Sequence, residues 1–331
     1  MAVKVAINGT GRIGMIVAKI IMERDDIELV ALNTTAKPDM LEYLFKYDSV
    51  HTGIDAKVID ENTIELAGKK VAMFSTRSLE ELDFGSVGAE LVIECTGVFL
   101  TTESAKGYLK NGVKKVVMSA PAKDDTPTYV YNINTDSYKG EAIISNASCT
   151  TNCLAPVCKV LDDAFGIENG LMTTIHSYTN DQSILDVKHS KDKRRARAAA
   201  INMIPTTTGA AKAISLVMPN LKGKLNGYAM RVPTPDVSVV DLTVNLKKDV
   251  TKEEVNEAFE KAAQTNFKNL IEIDNDKRVS NDFVGSTYSS IYVPDMTSVV
   301  DGNSVKVIAW YDNEWGYSAR LVDMCVLVAN K

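Results

Sequence analysis

Five short apolar runs punctuate the first half of the chain. V-K-V-A-I (3–7), I-E-L-V-A-L (27–32), L-V-I-E-C-T (91–96), K-V-V-M-S (115–119) and A-I-I-S (142–145) have the length and composition of strands. Between several of them, segments 12–24, 38–47 and 101–111 repeat apolar residues at helical spacing. This alternation predicts an α/β region, a doubly wound parallel sheet of Rossmann type with helices on its faces. The second half reads differently. L-M-T-T-I-H-S-Y (171–178), K-L-N-G-Y-A-M-R-V (224–232), V-S-V-V-D-L-T-V-N-L (237–246) and K-V-I-A-W-Y (306–311) suit an α+β region with a largely antiparallel sheet, and helices are expected at 150–165, 210–217 and 252–266. Helical periodicity returns from about Gly316, and that last segment, about 316–331, is expected to pack with or near the first region. The division expected is 1–148 and 149–315.

Size agrees with two domains, because 331 residues exceed what one ordinary core fills. The chain is 45% hydrophobic and 24% charged, and it has no apolar run long enough to span a membrane. It opens directly on a strand-like run, without a basic segment and apolar leader, so a cytoplasmic location is expected. The 5 Cys form neither a disulfide framework nor paired metal-ligand spacing, which leaves free thiols and no metal as the expectation. A net charge of -6 disfavours nucleic acid as the primary partner. The basic run K-R-R-A-R (193–197) is a local exception.

G-T-G-R-I-G (9–14) follows the first strand and runs into the first helix. Three glycines in six residues often mark only a turn, but this context favours a dinucleotide site. There Gly9 permits the turn, Gly11 lets backbone approach a pyrophosphate, and Gly14 allows close helix packing. The second strand ends in L-N-T-T-A-K, without the carboxylate that usually accepts from the adenine ribose. Thr34 and Thr35 hydroxyls can donate to the extra phosphate of NADP instead, with Lys37 in sequence reach; the alternative is an NAD site that tolerates the loss.

S-N-A-S-C-T-T-N-C (145–153) lies between a strand and a helical pattern, which puts Cys149 at a helix N-terminus, where amide groups favour the thiolate. Cys153, one turn on, reads as a packed residue. Of the three His, His51 resembles a turn residue and His189 a surface one, whereas His176 ends an apolar strand and suits a base for Cys149.

These motifs extend into a family resemblance. I-N-G-x-G-R-I-G, S-N-A-S-C-T-T-N-C-L-A-P, H-S-Y-T-N-D-Q (176–182), R-R-A-R-A-A-A, I-P-T-T-T-G-A-A-K-A (204–213), M-R-V-P-T-P (230–235) and W-Y-D-N-E-W-G-Y-S (310–318) make the chain similar, over essentially its whole length, to phosphorylating glyceraldehyde-3-phosphate dehydrogenases. The resemblance implies a dinucleotide-binding domain, then a catalytic and oligomerisation domain in a homo-oligomer, a tetramer. It also implies oxidation of glyceraldehyde 3-phosphate to 1,3-bisphosphoglycerate through a Cys149 hemithioacetal and thioester, with His176 as base, in glycolysis or gluconeogenesis. Thr179 and Arg231 would hold the substrate phosphate; Ser148, Thr150, Arg195, Thr208 and Gly209 would hold inorganic phosphate. The cofactor would meet Gly9, Gly11, Arg12, Ile13, Thr34, Arg77 near the adenine, Ser119 and, at the nicotinamide carboxamide, Asn313.

Three positions depart from the family pattern. Thr10 stands where an aromatic is usual, Thr34 where NAD-dependent members carry Asp, and D-V-K-H (186–189) replaces D-L-P-H, so that Lys188 would bring a cation to a neighbouring subunit's adenosine. They favour NADP, alone or with NAD. The same motifs fit an erythrose-4-phosphate dehydrogenase, and the fold alone would fit a silent cofactor-binding or RNA-binding relative.

Overall fold

The apolar runs of the first half form the parallel part of an eight-stranded sheet in the computed structural model, which describes residues 2–190 and 192–331. Its strands are β1 (Val3–Asn8), β2 (Ile27–Asn33), β3 (Ala56–Asp60), β4 (Thr63–Leu66), β5 (Lys69–Phe74), β6 (Leu91–Glu94), β7 (Lys115–Met118) and β8 (Ile143–Ser145), in the order β3-β4-β5-β2-β1-β6-β7-β8. Neighbours from β5 to β8 pair in parallel, whereas β3, β4 and β5 make an antiparallel meander. The chain winds outward from β1 through β2 to one side and from β6 to the other. The C-terminal ends of β1 and β6 therefore flank a topological switch point, where such sheets bind ligands.

Helices α1 (Arg12–Met22) and α2 (Pro38–Lys46) follow the predicted periods. The helix expected over 101–111 is cut to α3 (Thr102–Ala105) and a short 3₁₀ turn. Asn111 and Gly112 lie at φ 51° and 109°, left-handed values that end any helix there.

The second half contains α4 (Cys149–Phe165), α5 (Ala210–Val217) and α6 (Lys252–Gln264), and the chain closes with α7 (Trp315–Ala329). Strands β9 (Ile167–Ser177), β10 (Ile204–Thr207), β11 (Leu225–Val232), β12 (Ser238–Leu246), β13 (Ile271–Ile273), β14 (Ser290–Tyr292) and β16 (Ser304–Tyr311) run in the order β10-β11-β9-β12-β16-β14-β13, with β15 (Ser298–Val300) on β16. This sheet is largely antiparallel; β9 with β11 and β13 with β14 are its parallel pairs. By contact the chain divides into two units, residues up to Ser148 together with Ser318–Lys331, and Cys149–Tyr317. No helix among the described residues is long and apolar enough to cross a membrane.

In the first unit α1 is buried from Gly14 to Met22, including Lys19. A buried ammonium needs a partner. Asp48 supplies it at 3.0 Å, the Thr52 carbonyl accepts at 3.1 Å, and Arg12 reaches the same carboxylate oxygen at 2.9 Å. Burial alone would raise the Asp48 carboxyl, but the Val50 and His51 amides with Lys19 and Arg12 hold it well below the usual carboxylate range. Asp48→Asn is expected to lower stability by about 3–5 kcal/mol by stranding Lys19, and Lys19→Met in that background to recover most of the loss. Urea unfolding of the three proteins measures both. Because Asp48 is held down, its contribution is present above about pH 4 and fades as the pH falls towards its depressed value.

Candidate active site

The Gly9–Gly11 turn and the segments that follow β2, β5 and β6 line a cavity of about 530 Å³ in the first unit. Gly9 has φ 98°, and a Cβ there would lie 2.9 Å from Thr96. A Cβ at Gly14 would lie 1.9 Å from the Gly9 carbonyl oxygen, so this glycine lets α1 pack on the turn. At Gly11, which caps α1, a Cβ would meet nothing within 4 Å; the constraint here is the open cavity that it lines. No acidic residue lies in the first turn of α1, which leaves its amide groups suited to an anion. Such a turn fits a dinucleotide pyrophosphate.

The cavity floor is tied across strands by side chains that the sequence reading missed. Asn33 donates to Asn8 at 2.6 Å, Asn8 donates to Glu94 at 2.9 Å, and the Tyr108 hydroxyl donates to the same carboxylate. Thr34 and Arg77 line the cavity as expected. The Thr34 hydroxyl is buried, 2.6 Å from the Thr10 hydroxyl, and it accepts the Ala36 amide at 3.1 Å. Among the described lining residues there is one cation, Arg77, and no carboxylate. Arg12 and Ile13 occupy the first turn of α1, with the Arg12 guanidinium on Asp48. Ser119 follows β7, where its amide donates to the Glu94 carbonyl at 2.9 Å.

In the second unit Cys149 is the first residue of α4, and its Sγ lies 3.5 Å from His176 Nε2. Strand register makes this meeting possible: His176, near the end of β9, pairs with Arg231 on β11. Arg231 Nη1 lies 2.7 Å from His176 Nδ1 and donates to the Ser177 carbonyl at 2.9 Å; Nδ1 itself is 2.8 Å from that carbonyl. The buried Tyr311 hydroxyl bridges Thr150 at 2.9 Å and Thr174 at 2.8 Å, and its ring meets the imidazole edge-on.

Cys149 is half-buried. Burial pushes the thiol up, against the lowering influence of Arg231 and the Thr150 and Cys149 amides. The expectation that the helix start alone would favour thiolate is therefore corrected: burial outweighs it. Burial, then Arg231, push His176 down to about 3. Neither group ionises readily alone. Transfer of the proton from Sγ to Nε2 instead creates two opposite charges 3.5 Å apart, which stabilise each other.

The expected anion-binding residues fall into separate groups. Arg195 donates to the Thr206 hydroxyl at 2.7 Å and to Asp181 at 2.6 Å, with the Thr207 carbonyl at 3.3 Å. Thr208 accepts the Ala210 amide at 3.2 Å and Gly209 caps α5. The Thr179 hydroxyl follows β9 and has no hydrogen bond among the described residues. Ser148 and Thr150 flank Cys149 in sequence. Asn313 is held by Ser177 and Ser238, neither of which was anticipated. Lys188 is exposed between β9 and β10.

Cys95, Cys153, Cys158 and Cys325 are pushed up by burial with no cation to offset it nearby except Arg24 at Cys325. Limiting iodoacetamide should therefore label Cys149 first, as read by peptide mapping; first labelling of Cys95 or Cys325 would contradict the site. His176→Asn removes the proton acceptor and should move the alkylation midpoint to higher pH.

Comparison with known proteins identifies the family. Residues 3–102 match the family model of the glyceraldehyde 3-phosphate dehydrogenase NAD binding domain, and 148–313 that of the C-terminal domain. The chain is 53% identical over 334 residues to the glyceraldehyde-3-phosphate dehydrogenase of Geobacillus stearothermophilus, covering 100% of this chain and 99% of the relative. It is 51% identical to glyceraldehyde-3-phosphate dehydrogenase 1 of Bacillus subtilis (strain 168) with the same coverage, and 50% identical to the cytosolic enzyme of Pinus sylvestris, covering 99% and 97%.

Proposed function

The chain belongs to the glyceraldehyde-3-phosphate dehydrogenase family and has that activity, and we propose that Cys149 is its nucleophile, His176 its base, and Arg231 and Arg195 the principal cations of its two phosphate sites. The observation that carries this division of labour is the 3.5 Å approach of Cys149 Sγ to His176 Nε2 beside Arg231.

Cys149 Sγ attacks the aldehyde carbon while its proton passes to His176 Nε2, and His176 hands that same proton to the carbonyl oxygen, which completes the hemithioacetal and leaves the imidazole neutral. His176, held neutral by burial, then accepts the hydroxyl proton as the carbon is oxidised. The bound dinucleotide supplies the hydride acceptor. A thioester remains on Cys149. Inorganic phosphate attacks its carbonyl carbon, the C–S bond breaks, and an acyl phosphate leaves with the thiolate regenerated. Arg231 and Thr179 suit the substrate phosphate, since the Thr179 hydroxyl has no other partner among the described residues. Arg195, Thr208 and Gly209, with Ser148 and Thr150 beside the thiol, suit inorganic phosphate; an attacking anion would compete with Asp181 for Arg195. The Gly9–Gly11 turn and the first turn of α1 would hold the pyrophosphate, with Ser119 and Asn313 serving the nicotinamide side.

A cytoplasmic homotetramer fits the exposed apolar residues of the second unit, Leu171, Ile201, Met203 and Tyr228, which a second copy would cover. The names of the relatives favour glyceraldehyde 3-phosphate over erythrose 4-phosphate as substrate and leave a silent relative without support.

NADP use, alone or with NAD, is supported by a lining with Arg77 and no carboxylate, and by Thr34 where a carboxylate would repel a 2'-phosphate. Lys188 would add a second cation from a neighbouring subunit. Phosphate-dependent reduction of NAD and NADP, assayed side by side, tests this. Thr34→Asp should shift preference towards NAD on the order of tenfold, and Lys188→Ala should weaken NADP more than NAD, less so at high salt. A wild type that binds NAD and ignores NADP would overturn the cofactor reading alone. Cys149→Ser should abolish turnover and keep cofactor binding. His176→Asn should slow turnover by about 10²–10⁴-fold.

A further inference from the structure

Three strand ends meet at Asn313. Ser177 ends β9, Ser238 begins β12, and Asn313 lies two residues past the end of β16. The Asn313 amide oxygen accepts from the Ser177 hydroxyl at 2.9 Å and from the Ser238 hydroxyl at 2.6 Å. Ser238 Oγ accepts the Ser177 amide at 3.1 Å and donates its own proton to Asn313 Oδ1. The Asn313 side chain is thus held in one of its two amide orientations, with no hydrogen bond to Nδ2 among the described residues.

The backbone around the cluster is also constrained. Gly285, Glu314 and Trp315 amides donate to the Asp312 carboxylate at 2.6–2.8 Å, which fixes the turn carrying Asn313. Val237, next to Ser238, has φ 63°, a left-handed value costly for a β-branched residue. It is retained because its side chain is buried against Phe283 and Ile291.

We propose that Ser177 and Ser238 are positioning residues that clamp the Asn313 amide so that it offers an N–H donor, and therefore recognises the carbonyl oxygen of the nicotinamide carboxamide rather than its NH₂ group. This fixes the rotation of the carboxamide, and through it the ring face turned to the substrate. The proposal rests on the reading of Asn313 as the group that meets the nicotinamide.

Calorimetric binding to the whole enzyme of NAD and of its 3-acetylpyridine analogue, which keeps the carbonyl and replaces NH₂ by methyl, tests the clamp without turnover. Wild type should bind the two within about threefold, because the recognised oxygen is common to both. Ser177→Ala removes one hydroxyl and no backbone contact. It and Ser177→Ala/Ser238→Ala should weaken NAD by about 3- to 10-fold and raise the preference for NAD over the analogue, as the freed amide turns its oxygen to the NH₂ group. A wild type that loses more than about tenfold on the analogue presents oxygen, and the clamp is wrong. If Asn313→Ala weakens NAD while both serine variants bind like wild type, the clamp fails alone. If Asn313→Ala leaves NAD binding unchanged, the underlying reading of Asn313 fails with it.

Discussion

The register between β9 and β11 sets His176 opposite Arg231, and the candidate site of the second unit is built around that pairing. A slip of one residue would turn His176 to the other face of the sheet. The same register governs the neighbours. Val239 pairs with Ile175 across β12 and β9, and Ser238 pairs with Tyr311 across β12 and β16, so three strands deliver Ser177, Ser238 and the bridging Tyr311 to one end of the sheet. Cys149 comes from outside the sheet. Its helix packs on β9, β12, β14 and β16, and this packing brings the first helical residue to the imidazole.

Burial decides the resting charge of the pair. A thiolate or an imidazolium alone would lack water, and the Arg231 guanidinium further opposes a cation on His176. Proton transfer within the pair replaces two isolated charging events by one dipolar one, so the nucleophile can form where neither charge would be stable by itself. An anionic substrate group drawn to Arg231 would relieve the opposition to an imidazolium at the moment the base is needed. The first unit follows a different rule: Lys19 is buried, and the Asp48 carboxylate accepts from it, from Arg12 and from the Val50 and His51 amides.

Much of this was legible because it is local. G-T-G-R-I-G after an apolar run specifies a turn, a close approach and a helix start within six residues; Gly9 and Gly14 meet close neighbours, and Gly11 lines the open cavity. Cys149 stood out as a thiol in a polar run before a helical period, and His176 as a strand-end imidazole. The meander β3–β5 escaped notice because β3 (A-K-V-I-D) and β4 (T-I-E-L) are short and interrupted by charged residues, so no apolar run marks them. The contacts of Asn313 with Ser177 and Ser238 span 136 and 75 residues, and nothing local to a serine announces a partner that only sheet register supplies. The net upward push on the Cys149 thiol was hidden for a related reason: a helix start is visible in sequence, but the atoms that bury the sulfur are not.

The central claim is that oxidation leaves the acyl group on Cys149 until phosphate removes it. It is tested most directly by mixing enzyme, NAD and glyceraldehyde 3-phosphate without inorganic phosphate, quenching in acid and mapping peptides by mass. The account predicts reduced cofactor in an amount matching the active sites, one phosphoglyceroyl adduct on the peptide carrying Cys149, and loss of that adduct when phosphate is added. Sustained turnover without phosphate, or an adduct on any other cysteine, would contradict it.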